Sequence, residues 1–293
     1  MRKSPLSLKQ LYALVERIFK TVNLSQRPKS RGRPKKYSDA LIIALWLYQI
    51  LNRNSYRETL EKAKQEGFTT PSLFDYHYRV SKLEEEGLKV IVEESGRIIL
   101  RKREKEIRFC VADATGFSFG DRYNLKWCRG TEIRSVSSHV RLEVVAVVFG
   151  EGKEVIVGVE TGGPYASEAQ MLRKVLERLR SSRRLPFIAD RGYDAIDIKE
   201  TFRVGIKHPL RKLSKENWGR YGRDRYMIEQ LFGSIKQKIG SSFRFIREDL
   251  ARKAAIACAI LWNFYVIVTT FLMLLCFVFR LKLSSCISTS KKF

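Results

Sequence analysis

The sequence predicts an α/β fold, a mixed sheet with helices packed on it, preceded by about a hundred residues of helix. Three observations support this. His139 to Phe149 (HVRLEVVAVVF) and Glu154 to Glu160 (EVIVGVE) are β-branched runs separated by Gly150 and Gly152, a hairpin signature. Two further apolar stretches, Ile107 to Ala112 and Leu185 to Ala189, read as strands that end at Asp113 and Asp190. Helical periodicity alternates with them, so that strands and helices interleave as a layered α/β domain requires.

The helical part begins with Leu11, Leu14, Val15, Ile18 and Phe19, which keep one apolar face at i, i+3, i+4, i+7 spacing. Arg27 to Lys36 (RPKSRGRPKK) is a basic linker rich in Pro and Gly, with six cations and no acid. Extended, it suits a minor groove, with Arg31 and Arg33 as the reaching side chains; a plain solvated linker has the same composition. Ser38 caps an apolar helix to about Leu51. Ser55 and Glu58 form a capping-box pattern for a helix stopping at Gly67, and Thr70-Pro71 starts the next. As a helix-turn-helix over 55–83, this pair places Ser72, Asp75, Tyr76 and Arg79 near DNA. An ordinary helical hairpin is the alternative.

From about Glu106 the texture changes to that of the sheet. Ala166 to Arg180 is helical, with Met171, Leu172, Val175, Leu176 and Leu179 on one face. A short helix near Ala195 to Arg203, a brief strand from Val204 to Lys207 and a helix from Asp224 to Ile239 follow. Ala254 to Phe279 is almost wholly apolar and long enough to cross a bilayer, interrupted by Asn263, Thr269 and Thr270. A buried helix closing the core is the preferred reading, and a membrane role is not expected. The domains expected are a helical DNA-binding region over 1–103, a catalytic domain over 104–270 and an atypical apolar and basic tail over 271–293.

Charge narrows the function. Fifty-six Lys and Arg against 31 Asp and Glu give +25, an excess that implies a polyanionic partner, with nucleic acid foremost. Five scattered cysteines and three histidines argue against a structural zinc site, and a reducing cytoplasm is the expected compartment.

An Asp after a buried strand serves commonly as a turn or cap. Ligand sites of open α/β sheets, however, lie at the carboxyl ends of strands, so adjacent parallel strands would bring Asp113 and Asp190 into one crevice. Two close carboxylates need a cation to stay ionised together, and hard oxygen ligands suit Mg²⁺. Glu229 is the third candidate acid. It flanks the apolar stripe Ile228, Phe232, Ile235 and Ile239, with Arg225 and Lys236 on its own side. An amphipathic helix bearing salt bridges has the same pattern.

These blocks resemble the DDE transposases of bacterial and archaeal insertion sequences. The match lies in Val111-Ala112-Asp113-Ala114-Thr115-Gly116, in Ile188-Ala189-Asp190-Arg191-Gly192-Tyr193-Asp194, and in Arg225, Glu229 and Lys236 at their 4- and 7-residue spacing. His139-Val140-Arg141-Leu142 is similar to the family's second strand. The resemblance spans about Arg108 to Asn263. One residue departs from it, because the family's tyrosine falls at position 222, held here by Gly222, with Tyr221 one place away.

The resemblance implies an RNase H-like fold and two-metal phosphoryl transfer. Asp113, Asp190 and Glu229 would hold two Mg²⁺ ions, with Mn²⁺ able to substitute. Arg225 and Lys236 would hold the phosphodiester, and the expected partners are double-stranded DNA and a second copy of the chain. Arg211 to Arg225 carries six cations against two acids. Arg211, Lys212, Lys215, Arg220 and Arg223, with Trp218 between them, suit a distorted DNA end. Three rivals compete: a DNA-binding derivative without catalysis, an anchored membrane protein, and a tyrosine recombinase using His208, Arg211 and Tyr221 or Tyr226.

Overall fold

The computed structural model describes residues 6–22, 36–120, 124–129, 132–150, 152–179, 187–190, 193, 204–206 and 222–289. Five helices come first: α1 (Leu8–Thr21), α2 (Asp39–Asn52), α3 (Tyr56–Gln65), α4 (Leu73–Ser81) and α5 (Glu85–Arg101). Their starts follow local chemistry. Ser7 with Gln10 and Ser55 with Glu58 form capping boxes, and the Ser38 and Ser72 hydroxyls accept from the Leu41 and Asp75 amides. Pro71 therefore lies just outside the helix expected to start on it, because Ser72 takes the cap.

The seven residues between α3 and α4 exceed the three or four of a helix-turn-helix. Two of the side chains expected to face DNA turn inward instead. Tyr76 is fully buried and donates to Gln49 Oε1 (2.8 Å). Arg79 donates to the Tyr37 carbonyl (2.8 Å) and pairs with Asp39 (2.7 Å), which holds α4 against the start of α2. The helical period explains the correction: Tyr76 and Val80, four apart, form the inner face of α4. Leu73, Phe74, His77 and Tyr78 are the exposed residues of α4.

The sheet comprises β1 (Ile107–Phe119), β4 (His139–Phe149), β5 (Lys153–Gly162), β6 (Phe187–Ala189) and β7 (Val204–Ile206) in the order β5-β4-β1-β6-β7. The first three are antiparallel neighbours, and β6 and β7 continue parallel to β1. That order and those directions make it an RNase H-like mixed sheet. A short β8 (Ser242–Phe243) also pairs with the end of β1. Two features were not expected. β1 runs on past Asp113 to Phe119, because its ladder with β4 continues to Ser118↔His139. A separate hairpin, β2 (Asn124–Arg129) with β3 (Glu132–Ser137), lies between β1 and β4 in the chain. The helix expected near 195–203 lies outside the described residues.

Among the described residues three further helices follow: α6 (Glu168–Leu179), α7 (Tyr226–Lys238) and α8 (Glu248–Thr289). Residues Glu248–Thr270 of α8 are long and apolar enough to cross a membrane, yet two-thirds of that apolar window is buried inside the protein. Ala254 to Leu261 and Phe264 belong to the core, so this part of the apolar run closes the interior. Asn263 is fully buried there. It accepts from the Ile156 amide (2.9 Å) and donates to the Ile156 carbonyl (2.7 Å), the Val92 carbonyl (3.2 Å) and Ser95 Oγ (2.9 Å). A single side chain thus ties α8 to β5 and α5.

Residues on both sides of the boundary expected at 103/104 share one continuous core, from Leu8 and Trp46 to Phe109, Val144 and Ile260. Gly96 lets α5 lie directly on β5, because a Cβ there would come within 2.6 Å of the Ile156 carbonyl oxygen. Lys89 of α5 is buried against Glu160 of β5 (2.6 Å), and Arg178 of α6 reaches the same carboxylate (2.7 Å). Arg53, at the end of α2, donates to the Ile239 carbonyl beyond α7 (2.9 Å).

Candidate active site

Asp113 lies mid-way along β1, opposite Val144 of β4. On its other side β6 pairs in parallel, Cys110↔Phe187 and Val111↔Ile188. Carrying that register two residues onward sets Asp190 alongside Asp113, on strands about 5 Å apart. The two aspartates are therefore neighbours by construction of the sheet, one within a strand and one just past the end of its neighbour.

The third acid approaches from the adjoining helix. A 3₁₀ turn, Gly222–Arg225, leads into α7, and Arg108 at the start of β1 pairs with Asp224 in that turn (3.2 Å). Ile228, Phe232 and Ile235 bury the inner face of α7, which leaves Glu229 exposed in its first turn. Negative charge is favoured there by the helix dipole. Arg225 stands between the acids. Its guanidinium donates to Glu229 Oε1 (2.7 Å) and lies 3.6 Å from Asp113 Oδ2. Among the described residues no three acids, histidines or cysteines stand close enough together to hold an ion. The aspartates are paired, and Glu229 joins them through the arginine.

The electrostatics of this pair are strained in a specific way. Burial pushes the Asp113 carboxyl up to about 6, and the charges of Glu168 and Asp190 add to the rise. The Ala114 amide, which donates to Asp113 Oδ1 (2.9 Å), and Arg225 oppose it. A half-buried acid beside a second acid is a site where added positive charge is stabilising. The donor set, carboxylate oxygens only, fits a hard divalent cation. Glu229, with 57% of its side chain exposed, is held in this position by its bond to Arg225.

Of the cations expected to meet DNA, Lys236 lies two helical turns on from Glu229 and on the same side, half-buried, its ammonium 5.7 Å from the Phe117 ring centre. Burial lowers its pKa. Arg223 belongs to the 3₁₀ turn. Arg31, Arg33, Arg211, Lys212, Lys215, Trp218, Arg220 and Tyr221 lie outside the described residues. Arg79 is spent on Asp39 and the Tyr37 carbonyl, as above.

Two further residues, not singled out from sequence, sit behind the aspartates. Glu143 of β4 is fully buried opposite Ala114, and Tyr193 is fully buried with its hydroxyl donating to Glu143 Oε2 (2.9 Å). Burial, then the charges of Asp113 and Glu168, push the Glu143 carboxyl well above the ordinary range. The sequence carries a signal for each: Glu143 is an acid among the apolar residues of HVRLEVVAVVF, and Tyr193 falls within the block from Ile188 to Asp194.

The sequence pattern of the transposase DDE domain matches residues 104–264, more than half of the chain. The chain belongs to that family. An uncharacterized protein of Aquifex aeolicus (strain VF5) is 30% identical to this transposase, over 92% of this chain and 90% of its own length. Among solved structures, a piggyBac transposase synaptic complex with hairpin DNA overlaps it with a TM-score of 0.42 at 8% identity, covering 89% of this chain and 72% of that one. The Mos1 strand transfer complex overlaps with a TM-score of 0.29 at 16% identity, covering 85% and 83%. The fold assignment rests on the strand order of this transposase itself.

Proposed function

We propose that this transposase cuts and joins DNA at the ends of an insertion sequence by metal-dependent phosphoryl transfer, in a cut-and-paste pathway, with Asp113, Asp190 and Glu229 as its metal-holding acids. The observation that carries the reading is the parallel register of β1 and β6, which sets two aspartates side by side within the family's domain. Asp113, between the other two, would hold both Mg²⁺ ions, and Asp190 and Glu229 one each. When bound, Mg²⁺ supplies Lewis-acid polarisation of the phosphate and activation of the attacking oxygen, and Mn²⁺ can do the same.

The residues of the chain do the rest. Arg225 exchanges its bond to Glu229 for a phosphate oxygen, which frees that carboxylate. Lys236 adds a second cation along the same helix, and the apolar packing of α7 fixes both relative to β1. In cleavage a new P–O bond forms from water while the 3′ P–O bond breaks, and the leaving 3′-oxygen takes a proton. In joining, that 3′-hydroxyl attacks a target phosphodiester in the same way. Charge of +25 supports DNA as the partner, and pairing of two ends supports a dimer on DNA.

The test is cleavage of the element's own flanking ends in Mg²⁺. Glu229→Gln and Asp190→Asn should each lose at least about 100-fold in rate, in the range typical for removal of an electrostatic catalytic group, while retaining DNA binding. Cleavage that persists in EDTA, or in both variants, would overturn the reading.

A further inference from the structure

We propose that Tyr193 and Glu143 form a buried tether that positions Asp190 against Asp113. The proposal deepens the function above and rests on it. The strand β6 is only three residues long, and its pairing with β1 ends at Val111↔Ile188. Asp190 is exposed and lies just past the end of β6, two residues beyond the Val111↔Ile188 pair. Three residues on, the Tyr193 amide donates to the Asp190 carbonyl (3.1 Å), closing a turn. The Tyr193 ring is fully buried, and its hydroxyl reaches Glu143 Oε2 at 2.9 Å.

Glu143 belongs to β4, the strand on the far side of β1, and β4 is bound to β1 along its length from Ile107↔Phe149 to Ser118↔His139. The turn after Asp190 is thus anchored across β1, to a strand paired on both sides. A two-sided hold results: the β6 ladder before Asp190 and the phenol–carboxyl bond after it.

The identity of the anchor supports a role beyond packing. A fully buried carboxyl is costly, and Glu143 Oε1 has no hydrogen-bond partner among the described residues. An apolar residue at 143 would pack beside Ala114 without that cost, but would leave Tyr193 nothing to donate to. The hydroxyl and the carboxyl make sense together as a fixture for the turn.

Mn²⁺ affinity of the full chain, read by electron paramagnetic resonance, and amide exchange of the peptide around Asp190, read without added metal, test this. Tyr193→Phe keeps the ring and removes the tether; it should weaken Mn²⁺ binding by about tenfold, as loss of an orienting partner does. Exchange around Asp190 should rise by about tenfold, the loss of one hydrogen bond. Glu143→Gln still presents a carbonyl oxygen and should stay within about twofold of the parent on both readouts. Unchanged values in Tyr193→Phe overturn the tether. So does faster exchange throughout β1 and β4, the mark of general destabilisation, or an equal loss in Glu143→Gln, which keeps an acceptor for the phenol and would show that the bond is not responsible. Should the parent chain cleave no element ends while Tyr193→Phe still loosens the Asp190 turn, the function falls and the tether stands.

Discussion

Asp113 is pulled in two directions by its surroundings. Burial and the neighbouring acids favour its neutral form, and its pKa rises from 3.8 to about 6. A carboxyl raised on folding contributes stability that is complete below its unfolded pKa and is lost as pH climbs through the folded value. Asp113→Asn should therefore stabilise the protein at pH 8 without divalent cation, by about 1–3 kcal/mol, with the gain vanishing near pH 4. Denaturant midpoints at the two pH values check this. Added Mg²⁺ should raise the midpoint of the parent and leave that of the variant unmoved. At this scale the sequence was legible where chemistry is local: Asp113, Asp190 and the Arg225–Glu229 spacing could be read from strand texture and helical period. Glu143 and Tyr193 could not, since their bond joins residues 50 apart across an intervening strand. A helix-turn-helix pattern sets Tyr76 and Arg79 toward DNA, whereas the apolar period of α4 turns Tyr76 inward and Arg79 pairs with Asp39.

Among the elements, α8 shows how one polar residue settles an ambiguity that hydropathy leaves open. The run from Ala254 has the length and apolarity of a bilayer span, but Asn263 makes four hydrogen bonds to α5 and β5. Asn263→Ala would leave the Ile156 amide and carbonyl unpaired and should cost about 2–4 kcal/mol, read as a shift in the denaturation midpoint. Gly96→Ala tests the same junction from the α5 side. Its new methyl meets the Ile156 carbonyl at 2.6 Å, and the helix must retreat, at about 1–3 kcal/mol. β1 is longer than its local sequence suggests, because an Asp in a strand resembles a stop. Its ladder to β4 overrides that local preference through long-range pairing, which a local reading does not weigh.

Over the whole molecule, the sequence suggested a helical region followed by a catalytic domain, and composition supports that division. The contacts do not follow it. α5 covers β5, α2 reaches the loop after α7, and Lys253 of α8 donates to the Ser81 carbonyl beside α4 (2.8 Å). A fragment beginning at residue 104, though it spans the family's domain, should aggregate or lose fixed tertiary packing, because it exposes the face of β5 that α5 buries. A chain ending after Thr270 should stay soluble and folded. Near-ultraviolet circular dichroism and sedimentation of the two distinguish these outcomes.

The packing of α8 against the N-terminal helices has a consequence for how such a gene decays. A frameshift anywhere before Glu248 deletes the helix that seals the interior, and the remnant is expected to be cleared by proteases. Damaged copies of the element would then fall silent, and few would persist as truncated competitors that occupy DNA ends without cutting them.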